Sequence, residues 1–258
     1  EKIVEKQLFE MHKIVPLHLA DTQARLPADD VLSAMIDVIR KNKEILIAEH
    51  ILSENSCVFD EAKPISDDAI LEELQSVYDS FDSQKFDLNN ISTENKEILY
   101  YYRFYDLNIP RQSEVVLANT TQASEVVASM FFEKLTNTHN IPDRSIRPMI
   151  LLEDHDSIDK FTEMIDSLMK WPVYENYIRK YGFIAKVANS DVVRSSGIPG
   201  GRYDVVEFQI KFNEIVQKHG LDPKKCYIQA GKGSSPWRGN YDGDPSLKNL
   251  QNLIPIPN

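Results

Sequence analysis

Cysteine is scarce in this sequence: Cys57 and Cys226 are the only two, and they lie far apart. A pair so placed builds neither a disulfide scaffold nor a thiolate zinc site, and it suits a reducing cytoplasm. Long apolar runs are also missing. No uninterrupted stretch approaches the ~20 residues of a transmembrane helix, and no signal-peptide pattern opens the sequence. The expectation is a cytoplasmic protein with no membrane partner. Positive charge is in deficit, since 29 Lys and Arg face 40 Asp and Glu and leave a net charge of −11. That balance argues against nucleic acid as a partner.

What is present is an ordinary globular composition, 42% hydrophobic and 27% charged over 258 residues. It suffices for one large domain or two small ones with a sizeable core. The sequence begins at Glu1 without a methionine and ends in Asn252-Leu-Ile-Pro-Ile-Pro-Asn258 without an evident cap. A processed or truncated polypeptide is the expectation.

Residues 1–110 read as mainly helical. Ile3, Val4, Leu8 and Met11 fall at helical spacing before Pro16. Asp29 or Asp30 is placed to cap a helix carrying Val31, Met35, Val38 and Ile39 on one face, running on through Ile45–Ile47. Ser66-Asp67-Asp68 opens another, with Ile70, Leu71, Leu74 and Val77 on one side. These stripes read as core packing.

The pattern changes in residues 111–258. Short β-rich runs at 114–119, 146–152, 183–188 and 225–229 alternate with helices. The first helix, Ser124–Leu135, is amphipathic, the second is capped by Ser157, and the third is closed by Gly220 after a turn at Gly197–Gly201. Alternation at this length predicts parallel strands with crossover helices. It fits part of a (β/α)8 barrel or one half of a doubly wound sheet, both of which carry their sites at the C-terminal strand ends.

One of those ends is Tyr227-Ile-Gln-Ala-Gly231-Lys232-Gly233-Ser234-Ser235-Pro236-Trp237-Arg238-Gly239-Asn240. Glycines let the backbone approach an anion, serines and N–H groups donate to oxygen, and Arg238 offers two parallel donors. An ordinary surface turn is the alternative. The loop is not a P-loop, because Cys226 stands where the first glycine belongs and Gly233 where Ser or Thr belongs. A dinucleotide fingerprint is also lacking, since Gly231-x-Gly233 has no third glycine at the required spacing.

The other ends are acidic. Glu153 follows the second strand and Asp191 the third, and carboxylates at neighbouring tips suit one hard cation, Mg²⁺ or Mn²⁺. A helix-starting acid and a turn-capping aspartate are the plainer readings of each alone. His155 reads as a solvated loop residue before it reads as a general base. Arg194 reaches either the mouth of the site or solvent.

Leu151-Leu-Glu153-Asp, Asn189-Ser-Asp191 with Gly197 beyond, and Gly231-Lys-Gly-Ser-Ser-Pro-Trp-Arg238-Gly239 resemble, in order and spacing, the core of the archaeal-type phosphoenolpyruvate carboxylases. The resemblance covers roughly residues 110–245 and is most specific in the glycine segment. It implies a partial TIM barrel, (β/α)8 in type, with the helical N-terminal region packed on it. The implied reaction adds bicarbonate to phosphoenolpyruvate, giving oxaloacetate and phosphate. By motif position Glu153 and Asp191 would hold Mg²⁺ or Mn²⁺. Arg238, with Lys232 assisting, would bind the carboxyphosphate formed on the way; Gly231, Gly233, Ser234 and Arg194 would contact substrate. A homo-oligomer, a tetramer by the resemblance, is expected. The sequence departs from the family in length, in having no His followed by Pro, and in Trp237, where the family more often shows phenylalanine. The competing readings are another Mg-dependent barrel lyase or aldolase of the phosphoenolpyruvate/pyruvate type, and a non-catalytic half-barrel binding module.

Overall fold

The computed structural model describes residues 25–60, 67–80, 86, 92–108, 112–136 and 145–231. The fold is α/β, with five strands in one parallel sheet ordered β1-β2-β3-β4-β5. These are β1 (Arg25–Pro27), β2 (Gln112–Ala118), β3 (Ser145–Leu152), β4 (Phe183–Ala188) and β5 (Cys226–Gly231). Four coincide with the expected runs to within two residues at either end. The fifth, β1, lies in the region expected to be helical; it pairs Arg25 with Val116, Leu26 with Leu117 and Pro27 with Ala118. The chain divides into two compact units, Glu1–Met149 and Ile150–Asn258.

In the first unit, α1 (Ala28–Lys41) buries Ala28, Val31, Ala34, Met35, Val38 and Ile39, the expected stripe. Pro27 occupies its N-cap and makes no side-chain cap, so Asp29 and Asp30 sit in the first turn, where their charge favours the helix dipole. The helix does not run on to Ile47. Asn42 leaves helical geometry and its Nδ2 donates to the Val38 carbonyl at 2.8 Å, after which α2 (Lys43–Ala48) starts afresh. The apolar positions of α3 (Asp67–Ser80) are buried as expected. From α4 (Thr93–Asn108), Tyr102 reaches Ser129 of α5 (Ala123–Thr136), the two hydroxyl oxygens 2.6 Å apart. Helix α5 is buried on nearly all sides, Ser124, Glu125 and Ser129 included, instead of along one stripe. Glu125 is satisfied there by the Thr121 and Gln122 N–H groups.

In the second unit, β3 leads into α6 (His155–Met169), α7 (Pro172–Tyr181), β4, α8 (Asn189–Lys218) and β5. Ser157 is not the cap of α6. Asp154 is, accepting from the Ser157 N–H at 2.8 Å, while Ser157 Oγ accepts in return from the Asp154 N–H at 3.3 Å. Gly182 closes α7 at φ 94°, and a Cβ there would stand 2.3 Å from the Lys225 carbonyl oxygen, so only glycine fits. Gly197 breaks α8 with φ 70° and ψ 173°, at the turn expected there.

Phe183, at the start of β4, explains how the helices sit. Its ring stacks on Phe161 of α6 (6.0 Å, 10°) and on Phe212 of α8 (5.0 Å, 4°). The helix before β4 and the helix after it therefore cover the same face. Their cross-links, Asp159–Lys211 and Asp166–Lys218, advance together along both chains, so the two helices run parallel. A single winding direction gives this arrangement, whereas a doubly wound sheet reverses at a switch point. The described strands show no such reversal.

Candidate functional site

The C-terminal edge of the second unit is fixed by strand register. Leu152 pairs with Val187, and Ala188 with Gly231. Glu153 is thus the residue beside Ala188, Asp191 lies three residues further on, and Gly231 ends the neighbouring strand. Both carboxylate residues are half-buried. Asp191 stands in the first turn of α8 and meets Arg194 at 3.6 Å; the arginine side chain is 71% exposed, so this pair adds little stability. Lys232, Gly233, Ser234 and Arg238 lie outside the described residues.

Alternation along β4 sends Phe183, Ala185 and Val187 toward α6 and α8, and Ile184, Lys186 and Ala188 to the opposite face. Lys186 is 1% exposed and not without a partner, as a buried ammonium requires. Register sets it beside Leu151 and Gln229, and continued alternation gives Glu153 that face as well. A lysine within the apolar run Phe183-Ile-Ala-Lys-Val-Ala188 was a visible signal that the strand reading passed over.

A second polar group lies in the helix layer. His155 is no loop residue: it opens α6, and its Nδ1 lies 2.9 Å from Oδ1 of Asp204 on α8, while Nε2 lies 3.4 Å from Asp159 Oδ2. Hydrogen bonding to Asp204 is the main cause raising the imidazole pKa above its ordinary value. Desolvation opposes it, and the charges of Asp159, Asp204 and Glu207 reinforce it. Asp204 is 3% exposed, and its second oxygen, Oδ2, is buried without a hydrogen-bond partner. Glu207, one turn on, gives Oε1 to Lys211 at 3.0 Å and leaves Oε2 buried and unpartnered. Ligand atoms of His155, Asp204 and Glu207 lie within 4.8 Å of one another.

Sequence reasoning missed Asp204 and Glu207. The available signal was Asp204 itself, a carboxylate four residues before Phe208 on the buried stripe of α8 that continues through Phe212 and Ile215. Neither cysteine is suited to act as a nucleophile. Burial, with Glu73 beside it, pushes the Cys57 thiol up to about 11, and burial raises Cys226 too. No helix among the described residues is long and apolar enough to cross a membrane. No family model matches the chain.

Proposed function

We propose that the chain carries the first part of a (β/α) barrel enzyme of the phosphoenolpyruvate carboxylase type, acting on phosphoenolpyruvate and bicarbonate. The observation that carries the reading is the in-register edge of three consecutive parallel strands, where Glu153 and Asp191 follow β3 and β4 and Gly231 ends β5. Parallel α/β folds hold their sites at this edge. The sequential strand order and the shared helix face support the barrel over a doubly wound sheet.

Glu153 and Asp191 offer oxygen donors only, and both are half-buried at adjacent tips, which suits Mg²⁺ or Mn²⁺. Such an ion, when bound, supplies electrostatic stabilisation of charge on transferring oxygens. The chain's own groups do the rest. In this reading the amides of Gly231, Gly233 and Ser234 would donate to an anion, Arg238 would grip two of its oxygens in parallel, and Lys232 and Arg194 would add positive charge.

Two measurements test this. Isothermal titration of Mn²⁺ into wild type, Glu153→Gln and Asp191→Asn should show at least ~10-fold weaker binding in either variant, since each loses a charged oxygen ligand; equal affinities in all three would sink the shared site. Incorporation of labelled bicarbonate into acid-stable product should depend on phosphoenolpyruvate. Turnover of phosphoenolpyruvate without label would instead favour a lyase or aldolase of the same barrel type.

A further inference from the structure

The carboxylates facing His155 pose a physical problem that the edge site does not solve. Asp204 Oδ2 and Glu207 Oε2 are buried, lack donors, and belong to residues three apart, on one side of α8. A carboxylate oxygen taken from water and given nothing in return is costly. The neighbouring ammonium, Lys211, is engaged by Glu207 Oε1 at 3.0 Å and Asp159 Oδ1 at 2.8 Å, so its reach ends on the far oxygens. We propose that His155, Asp204 and Glu207 bind a first-row transition-metal ion, Zn²⁺ foremost, at a second site in the helix layer.

The donor set selects the ion class. One imidazole nitrogen with two carboxylate oxygens suits Zn²⁺ or a similar borderline cation, whereas Mg²⁺ prefers oxygen donors and retained water. The geometry is close to ready. With bonds of ~2.0–2.2 Å in tetrahedral geometry, adjacent ligand atoms on one ion sit ~3.3–3.6 Å apart. His155 Nδ1 and Asp204 Oδ1 now share a hydrogen bond at 2.9 Å and need to part only by about half an ångström to admit the ion. A carboxylate oxygen of Glu207 has to move inward from within the 4.8 Å spread, a rotation its long side chain allows.

The surroundings match what metal-bound histidines ordinarily have. With Nδ1 on the ion, Nε2–H points to Asp159 Oδ2 at 3.4 Å, and Asp159 is itself fixed by Lys211. A carboxylate behind the imidazole sets its tautomer and strengthens it as a ligand. The His155 side chain is 49% exposed, giving the ion an entry path from solvent, whereas the Asp204 side chain is 4% exposed and forms the floor.

The test is titration of Zn²⁺ into the full, tag-free chain with Mg²⁺ saturating, so that the edge carboxylates are occupied by the harder ion. We expect one Zn²⁺ equivalent in wild type, and the same in the Glu153→Gln/Asp191→Asn double variant. Affinity should fall about 100-fold or more in Asp204→Asn and His155→Ala, and about 10-fold in Asp159→Asn. A Co²⁺ spectrum should change in His155→Ala, reporting loss of a nitrogen ligand. Should Asp204→Asn lose its helical circular dichroism, the half-exposed His155→Ala decides alone. No Zn²⁺ uptake by wild type, or uptake unchanged in both His155→Ala and Glu207→Gln, overturns the site. Uptake lost only in the Glu153/Asp191 variant overturns it equally, because Zn²⁺ would then be binding at the edge.

Discussion

Phe183→Ala is the perturbation that most directly tests how the strand edge is held. The ring is 1% exposed and clamped on both sides, by Phe161 at 6.0 Å and Phe212 at 5.0 Å, nearly parallel to each. Truncating a buried phenylalanine costs about 3–5 kcal/mol, depending on how far the site collapses. Here the flanking rings are tied to two different helices and packed on Phe208 as well, so little collapse is available. The upper half of the range, about 4–5 kcal/mol, follows. Phe183→Leu keeps much of the volume and should cost about 1–2 kcal/mol. Trp171 is buried in the second unit, so its fluorescence during urea unfolding reports on that unit. The midpoint should fall in both variants at unchanged slope. A loss below ~1.5 kcal/mol for the alanine variant would mean that the site collapses freely, and the three-ring clamp would be refuted.

Asp154→Ala removes one half of the reciprocal cap on α6 and should cost about 1 kcal/mol in urea unfolding, with Ser157→Ala adding less than its separate cost because the two side chains serve one motif; full additivity would contradict the box. Asp166 gives the pH dependence: burial pushes its carboxyl up, but hydrogen bonds from Lys218 and His219 outweigh that and hold it below the ordinary value. A depressed folded pKa contributes stability above the unfolded value of ~3.9 and loses it as pH falls through the folded one. Urea midpoints followed from neutral pH into acid should therefore drop less steeply in Lys218→Met/His219→Gln than in wild type, and parallel acid limbs would show that the pairing does not act.

The strands were legible because each is a short apolar, β-rich run bounded by turn residues, and β4 is buried along its whole length, so nothing interrupts its pattern. Strand β1 was hidden for the opposite reason. Arg25-Leu26-Pro27 is too short to show a period, and Pro27 argues against a strand except at an edge or an end, which is where it lies. At α6 two capping residue types stand three apart, and reading Ser157 as the cap picks the partner in place of the cap, because either residue type suits either position. The periodicity through Asn42 looked continuous because a side chain that ends a helix by bonding back to Val38 leaves no mark on the apolar spacing. Glu153 and Asp191 were readable as strand ends, while the His155–Asp204 pair joins residues 49 apart and exists only once α6 and α8 lie side by side.

That pairing bears on how the two polar groups of the second unit relate. Glu153 and His155 are separated by one residue, yet they serve opposite sides of the sheet. Alternation through β3 directs Glu153 to the face shared with Lys186, and the Asp154 cap then turns the chain so that His155 opens a helix in the layer that covers Phe183. The cap is thus the physical divider: its two hydrogen bonds fix the angle at which the strand becomes the helix, and with it the side on which each polar group falls. Disturbing Asp204 leaves this junction's backbone bonds intact, whereas disturbing Asp154 loosens both sides together. A chain built this way can carry an oxygen-donor edge and an imidazole–carboxylate cluster at one strand–helix junction without either competing for the other's ligands.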